Sequence, residues 1–419
     1  MRSRRLLLAA AVAVLVAPAA AKAVTLDEAI ALAVKHAPSL QRAAAEHDAA
    51  KARLDEARAG RLPTLTLQGS VAEAPTDFGH FFGFPAQTLT PSLAAIELRQ
   101  PLFNGGRVEA GVAQAKAGVS GAGFAYDNAK LGLGAAVAEA FENVRVAGQA
   151  LVLERRQVDE LALVAQQAAR RFQDGEVPRT DADRADARLA GAKADLARAE
   201  GDVAVAAARY EALVGEAPVE LEAPGAAPDT PADVNEAVAQ AEAHNPGLVA
   251  SEAALSGADD GVRRARADRA PTLDLVVGAS SVRDQFFPGY RSDSASIGVQ
   301  GRWTIFSGGL VNGRINEAVA GRAAARASLD EARADVQEMA IETWQGLVTA
   351  RAVATAAAAQ SLAAKAALAS VREEVRVGEK PTLDLLDAER EALAAELGAL
   401  RAEAGMVVAA YRLRAAIGS

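Results

Sequence analysis

The chain contains no cysteine. Disulfides and a lipid-modified cysteine are therefore excluded, and an exported protein of this kind must be held by packing alone. Histidine is nearly as scarce: His36, His47, His80 and His244 are the only four, and they lack metal-ligand spacing. No nucleophile–base constellation and no glycine-rich phosphate loop occurs, so neither catalysis, nor a cofactor, nor a bound metal is expected. The formal charge is −9 and no basic stripe interrupts it, which argues against nucleic acid as a partner. Beyond the N-terminal segment, no stretch approaches 18 uncharged apolar residues, the length a helix needs to cross a bilayer. A membrane crossing by this chain would have to use strands.

The first 23 residues read as an export signal. Arg2, Arg4 and Arg5 precede an apolar run from 6 to 17, and Ala21-Lys22-Ala23 offers small residues for cleavage. Without this segment and its four basic residues, the net charge of −9 becomes −13.

What the sequence has is a copy of itself. At an offset of 208, Glu28, His36, Pro38, Arg61, Pro63, Thr64, Leu65 and Leu67 return as Glu236, His244, Pro246, Arg269, Pro271, Thr272, Leu273 and Leu275. At an offset of 203, Phe103, Gly105, Gly106, Gly175, Glu176, Pro178, Asp181 and Gly215 return as Phe306, Gly308, Gly309, Gly378, Glu379, Pro381, Asp384 and Gly418. The single length change falls between Leu67 and Phe103, where the second copy is five residues shorter. A repeat this long implies a structural unit doubled within one chain, 24–214 and 233–419. Between them, 215–232 carries Pro218, Pro224, Pro228 and Pro231 and reads as a linker.

Each copy begins with two helices. Thr25 and Glu28 form a capping-box pattern, and His36 and His244 sit where a helix C-terminus favours an imidazolium, so both read as caps rather than ligands. Second helices follow over 39–59 and 247–268, ended by Pro63 and Pro271. The next residues alternate. Leu65, Leu67, Gly69 and Val71 oppose Thr64, Thr66, Gln68 and Ser70; Leu273, Leu275, Val277 and Ala279 oppose Thr272, Asp274 and Ser280. The return strand is clear in the second copy, from Ile297 through Val299, Gly301 and Trp303 to Ile305. It is weaker in the first, at Ile96 and Leu98, and Pro101 interrupts it. These period-two patterns predict hairpins over about 64–103 and 272–306, of the length and polarity that outer-membrane barrels use. Their loops hold Phe78, His80, Phe81, Phe82, Phe84 and Pro85, then Gln285, Phe286, Phe287, Pro288 and Tyr290.

Proline is then absent for 76 residues after Pro101 and for 92 after Pro288, in stretches rich in Ala, Leu, Arg and Glu, all strong helix formers. Val137, Phe141, Val144, Leu151, Val158, Leu161, Ala165, Ala168 and Phe172 follow heptad spacing. A helix from Arg107 to Phe172 would be about 100 Å long, more than a globular core requires. Asp174-Gly175-Glu176-Val177-Pro178 and Val377-Gly378-Glu379-Lys380-Pro381 place glycine at a helix end and proline at the next start. Long αα-hairpins with tips at 174–180 and 377–383 are the expectation, returning to about Gly215 and Gly418. The fold class is mainly α with a small β part. Four strands cannot close a barrel, so lipid would require several chains.

This organisation resembles the TolC-like outer-membrane efflux family (outer membrane factors), the exit ducts of Gram-negative drug pumps and type I secretion systems. The likeness covers 25–418. It is carried by the doubling, by the strand exits Gln100-Pro101-Leu102-Phe103-Asn104-Gly105-Gly106 and Trp303-Thr304-Ile305-Phe306-Ser307-Gly308-Gly309, and by the tip from Val377-Gly378 through Asp384-Leu385-Leu386-Asp387-Ala388. The resemblance implies a homotrimer with a twelve-stranded transmembrane β-barrel in outer-membrane lipid and an α-barrel through the periplasm. A periplasmic adaptor (membrane fusion protein) and an inner-membrane pump are the implied partners. Docking is expected at Gly175, Glu176, Pro178, Gly378, Glu379, Lys380 and Pro381. Phe103, Trp303 and Phe306 would be membrane-interface aromatics.

The family also implies that Asp384 and Asp387 narrow the periplasmic entrance. Six carboxylates around a three-fold axis repel by about 0.8 kcal/mol per pair at 5 Å even in bulk water, so the ring should select cations and bind divalent ions weakly. As first-turn acids the two also suit the helix dipole, and the two roles are compatible. In the first tip Asp181 matches Asp384, but Arg184 replaces the second acid, which allows a salt bridge between tips with Arg184 as donor. The rival reading is a periplasmic coiled-coil structural or adaptor protein without a pore. An adaptor would need lipoyl-like and β-barrel segments where this chain has a second hairpin.

Overall fold

A computed structural model describes residues 23–77, 79, 85–223, 225 and 228–419. The export segment except Ala23, the linker's Pro224, and Phe78, His80, Phe81, Phe82 and Phe84 of the first hairpin loop lie outside the described residues.

The first copy contains α1 (Leu26–His36), α2 (Pro38–Ala59), β1 (Thr64–Val71), β2 (Ala74–Thr76), β3 (Gln87–Leu89), β4 (Ser92–Phe103), α3 (Arg107–Gln173) and α4 (Arg179–Val214). The second contains α5 (Val234–His244), α6 (Pro246–Ala267), β5 (Thr272–Arg283), β6 (Arg291–Arg302), α7 (Leu310–Arg376) and α8 (Thr382–Ile417). Corresponding helices have equal lengths of 11, 22, 67 and 36 residues. The fold is mainly α with a small β part. Thr25 and Glu28 complete the capping box of α1, and Asp233 caps α5 through the Glu236 amide.

The described chain divides into two compact units. One comprises residues up to Ala37, Leu133–Asp229 and Leu347–Tyr411; the other comprises Pro38–Gly132, Thr230–Gly346 and Arg412–Ser419.

In the second of these units, β1, β4, β5 and β6 form one antiparallel sheet in the order β1-β4-β5-β6. The register aligns Leu65 with Leu98, Leu98 with Val277, and Val277 with Ile297; the next row is Leu67, Ile96, Ala279 and Ala295. Most apolar residues of the four strands therefore share one face, while Leu93, Val276 and Val282 fall on the other. Leu65, Leu67, Ile96, Ile297 and Val299 are exposed there. Thr66, Glu97, Gly278 and Ser296 form a row of the opposite face. Arg99 crosses that face to Glu97 at 3.0 Å and to Asp274 at 3.7 Å.

Two strand readings need correction. The first return strand is not weak: β4 runs 12 residues, straight through Pro101. The register shifts between Pro101 and Phe103, and such an irregularity accommodates a residue with no N–H to donate. The second return strand is shorter than its alternation suggests. β6 stops at Arg302, paired with Thr272, because Pro271 ends the partner strand. Trp303 leaves the sheet, and its indole N–H donates to the Arg269 carbonyl at 3.1 Å. A short β2–β3 ladder also extends the first hairpin toward its loop.

Both strand exits turn into helices by one device. Asn104 and Ser307 cap α3 and α7 with side chain and backbone, and two successive left-handed glycines follow. Gly105 has φ +66° and Gly106 +84°; Gly308 has +59° and Gly309 +89°.

The first unit is a helical assembly. Val137, Ala138, Ala140 and Phe141 are fully buried in it, and Phe141 meets Tyr210 with ring centroids 6.5 Å apart. Of the heptad positions, Leu161, Ala165 and Ala168 are also buried, while Phe172 is exposed. The linker is more than a tether. Val24 forms a parallel bridge with Leu221, and the Val24 amide donates to the Glu220 carbonyl at 2.8 Å. An 18-residue window of α7 reaches a mean hydropathy of 1.3 and passes the length and composition test for a membrane span. Alanine supplies much of the apolar character of α7, which suits close helix packing.

Gly105 and its repeat partner Gly308 separate strain from crowding. A Cβ at Gly105 would lie 2.4 Å from the Ala270 Cβ, whereas one at Gly308 meets nothing within 4 Å. Gly308→Ala should cost about 1–2 kcal/mol, the left-handed penalty alone. Gly105→Ala should cost more, with a lower midpoint in thermal unfolding followed by circular dichroism.

Candidate functional site

The helical unit carries both hairpin tips, and each tip is set by backbone geometry before any side chain is counted. In the first, the Gly175 amide donates to the Phe172 carbonyl and the Glu176 amide to Arg171. In the second, Gly378 donates to Val375 and Glu379 to Glu374. Both are Schellman motifs, which require a left-handed residue; Gly175 has φ +75° and Gly378 +83°. Pro178 and Pro381 then start the return helices without an amide to satisfy. The Asp181 and Asp384 amides donate to the Pro178 and Pro381 carbonyls, both at 3.1 Å.

The charges on the two tips run in opposite senses. Arg171 on the outgoing helix pairs with Glu176 on the turn at 3.2 Å, whereas Glu374 on the outgoing helix pairs with Lys380 on the turn at 2.7 Å. The hydrogen bond and charge of Glu374 hold the Lys380 ammonium above its ordinary pKa. Gly175, Glu176, Pro178, Gly378, Glu379, Lys380 and Pro381 are all exposed.

Asp384 and Asp387 are exposed in the first turns of α8. Asp387 is not free: Arg188 of α4 donates to it at 2.9 Å. The expected bridge between tips thus exists within the chain, but Arg188 makes it instead of Arg184. Arg184 lies one turn earlier on α4 and is exposed. The two arginines are four positions apart, so helical spacing puts both on one side of α4. Sequence alignment of the tips singled out Arg184 only because it stands opposite Asp387 in the repeat.

Two further groups were missed. Glu389 is 3 % exposed and lies 3.5 Å from Arg372 of α7, which also pairs with Glu160 of α3. Glu396 takes Arg156 of α3 at 3.1 Å and Lys365 of α7 at 2.8 Å. The signal for Glu389 was its spacing: Leu386, Glu389 and Ala392 recur at i, i+3 and i+6 on the buried stripe of α8. A carboxylate in such a stripe needs a partner. Burial pushes the Glu389 pKa up, against the pull of Arg372. His244 caps the last turn of α5, its ring nitrogen 3.2 Å from the Gln240 carbonyl. Among the described residues, no three His, Cys, Asp or Glu side chains gather in a way that could hold a metal.

The chain matches the family described as outer membrane efflux protein over residues 29–216 and 237–419. It belongs to that family. The two matched stretches correspond to the two copies of the repeat. The chain is 30 % identical over 331 residues to the outer membrane efflux protein BepC of Brucella suis, covering 78 % of this chain and 72 % of BepC. It is 25 % identical over 368 residues to the outer membrane protein TolC of Escherichia coli, covering 84 % and 73 %. In fold it is similar to the Campylobacter jejuni CmeC outer membrane channel, with a TM-score of 0.80 at 17 % identity, covering 94 % of this chain and 85 % of CmeC. The protein is a channel of the Gram-negative outer membrane, an exit duct for efflux or secretion.

The buried Glu389 fixes the sign of a pH effect. Its folded pKa is raised above the unfolded value, so the folded state holds the proton more tightly. Relative to Glu389→Gln, the wild type should then be most stable below the ordinary carboxylate range and lose ground as pH rises through the raised pKa. Thermal melts of both proteins across that window should show the difference; parallel curves would mean that Glu389 is not strained by burial.

Proposed function

We propose that three copies of the chain close a twelve-stranded barrel in the outer membrane, and that the helical hairpins continue it as a duct into the periplasm. The observation that supports this best is the sheet: four strands, one apolar face and two unpaired edges, β1 and β6. Residues 1–23 would direct export. The tips would dock a periplasmic adaptor, which couples the duct to an inner-membrane pump. The protein's work would be conduction, without turnover of a substrate.

Asp384 and Asp387 form the constriction in this reading, and Arg188 sets its charge by holding Asp387. The pair is exposed and contributes little to stability, about 0–1 kcal/mol, so it can be exchanged without loss of the fold. In planar bilayers, Asp384→Ala/Asp387→Ala should raise single-channel conductance and weaken divalent-cation block. Arg188→Ala should do the reverse for block, because it uncovers the Asp387 carboxylate. Traces indistinguishable from wild type in both variants would remove these residues from the gate.

Docking at the tips has its own test. Glu379 is exposed, so Glu379→Lys should leave the trimer intact while cross-linking to the adaptor falls at least about tenfold, the scale of one unfavourable charge at an interface. Unchanged cross-linking would move the docking surface away from the second tip.

A further inference from the structure

The sheet has an unexplained cluster at the end opposite its strand exits. Arg283 closes β5, Arg291 opens β6, and the two are register partners. Asp293 lies between them. It accepts from Arg283 Nη1 at 3.0 Å, from Arg291 Nε at 2.8 Å and from the Ser281 hydroxyl at 2.7 Å. One carboxylate thus fixes two guanidinium groups and neutralises only one of them. Neither nitrogen of Arg291 beyond Nε is used in these bonds, and the Arg291 side chain is 68 % exposed.

The register tells which way the cluster faces. Arg283, Ser281, Ala279, Val277 and Leu275 alternate onto one side of β5, as Arg291, Asp293, Ala295, Ile297 and Val299 do on β6. That side is the apolar face. Leu273 to Ala279 spans about 20 Å along the strand at 3.4 Å per residue, close to the apolar band of an outer-membrane barrel. The arginines stand just past its outer end. Below them the same face holds a shallow groove of about 560 Å³ lined by Leu65, Ile96, Leu98, Val277, Ala279 and Ile297. Beside them the 284–290 loop is fastened by the Gly289 amide donating to Asp284 at 2.6 Å and the Asp284 amide donating to the Tyr290 carbonyl at 2.8 Å. Tyr290 packs edge-on against Phe286 at 5.0 Å and Phe287 at 5.5 Å.

We infer that Arg283 and Arg291 form a clamp for the phosphate of an outer-leaflet glycolipid, whose acyl chains lie in the groove below. Guanidinium forks match phosphate oxygens bidentately. Asp293 holds the forks in place and cancels only one of their two charges. Aromatic side chains at the membrane–water boundary suit the sugar and headgroup level. A free phosphate would use the arginines but not the groove, so the continuity of the two favours the lipid. The inference rests on the outer-membrane barrel proposed above.

The test uses purified, delipidated full-length trimer. The probes are bisphosphorylated lipid A, the same glycolipid stripped of phosphate, and inorganic phosphate. Binding is read by native mass spectrometry and by the temperature at which the trimer dissociates. Bisphosphorylated lipid A should bind and raise that temperature. The phosphate-free glycolipid should bind at least tenfold more weakly, and inorganic phosphate should give no protection. The variant Arg283→Gln/Arg291→Gln/Asp293→Asn, which leaves no orphaned carboxylate, should lose at least tenfold in lipid affinity. Arg283→Lys/Arg291→Lys keeps the charge and loses the forks, and should bind several-fold more weakly; it decides the matter if the triple variant does not assemble. Wild-type affinity in these variants, equal binding of the phosphate-free glycolipid, or equal protection by inorganic phosphate would overturn the clamp. Wild-type trimer that conducts ions yet ignores lipid A sinks the clamp alone, whereas protein that neither trimerises nor conducts sinks the barrel with it.

Discussion

An open sheet edge in hydrocarbon is the constraint on which this architecture depends. β6 has 12 residues, and alternate residues of an edge strand turn both backbone groups outward, so about a dozen N–H and C=O groups face no partner. At several kcal/mol each in lipid, the penalty reaches tens of kcal/mol. The whole net stability of a domain is about 5–15 kcal/mol. No gain from burying the apolar face of a single sheet in lipid could be kept while the edges stayed open. In the proposed trimer the edges are paired by other copies, and the apolar face then becomes the outside of a closed surface.

The internal repeat separates what geometry demands from what chemistry is free to change. Both tips use the same pair of backbone hydrogen bonds around a left-handed glycine, because a 36-residue helix can return only if the outgoing helix is stopped in one way. The ion pairs at those tips have opposite polarity, Arg171–Glu176 against Glu374–Lys380. Exposed pairs contribute so little to stability that sequence drift can reverse them without disturbing the turn. Function occupies this free layer. Asp181 and Asp384 match, whereas Arg184 stands where the second hairpin has Asp387; in the proposed constriction the second hairpin supplies the acids and the first supplies the cation, Arg188, that pairs with Asp387.

The sequence was most legible where backbone chemistry is absolute. The long helices were bounded by prolines and glycines, and Pro63, Pro271, Gly175 and Gly378 fall at element ends as their dihedral limits require. It was least legible where pairing decides. β4 looked broken at Pro101, since a local pattern cannot show that the partner strand will absorb the irregularity opposite Asp274 and Leu273. β6 looked longer than it is, since Trp303 and Ile305 keep the alternation after the partner has ended at Thr272. The tip bridge went to the wrong arginine for a related reason. Repeat alignment compares positions along one helix, whereas Arg188 reaches Asp387 across to another. Glu389, by contrast, could have been found from its place in a buried stripe.

Buried charge has a reason in this helical unit. Alanine dominates the contacts, and small side chains interlock weakly, so two alanine-rich helices could slide by a turn with little loss of packing. Charged pairs resist that. Arg145 and Glu142 are both nearly buried, 2.9 Å apart, and Arg145 reaches Glu403 of α8 at 3.9 Å. Further along, Arg156 and Lys365 meet on Glu396, and Arg372 joins Glu160 to Glu389. Each set ties α8 to α3 or α7 at one height. Burial pushes the Glu142 and Glu389 pKa values up, and taking a carboxylate out of water has a cost that its partner must offset; well-packed apolar side chains often serve at least as well. A slip by one turn would leave such charges buried and unpaired, a far larger penalty than lost alanine contacts. The charges therefore exchange some stability for a fixed axial register, and the constriction proposed at Asp384 and Asp387 requires that register.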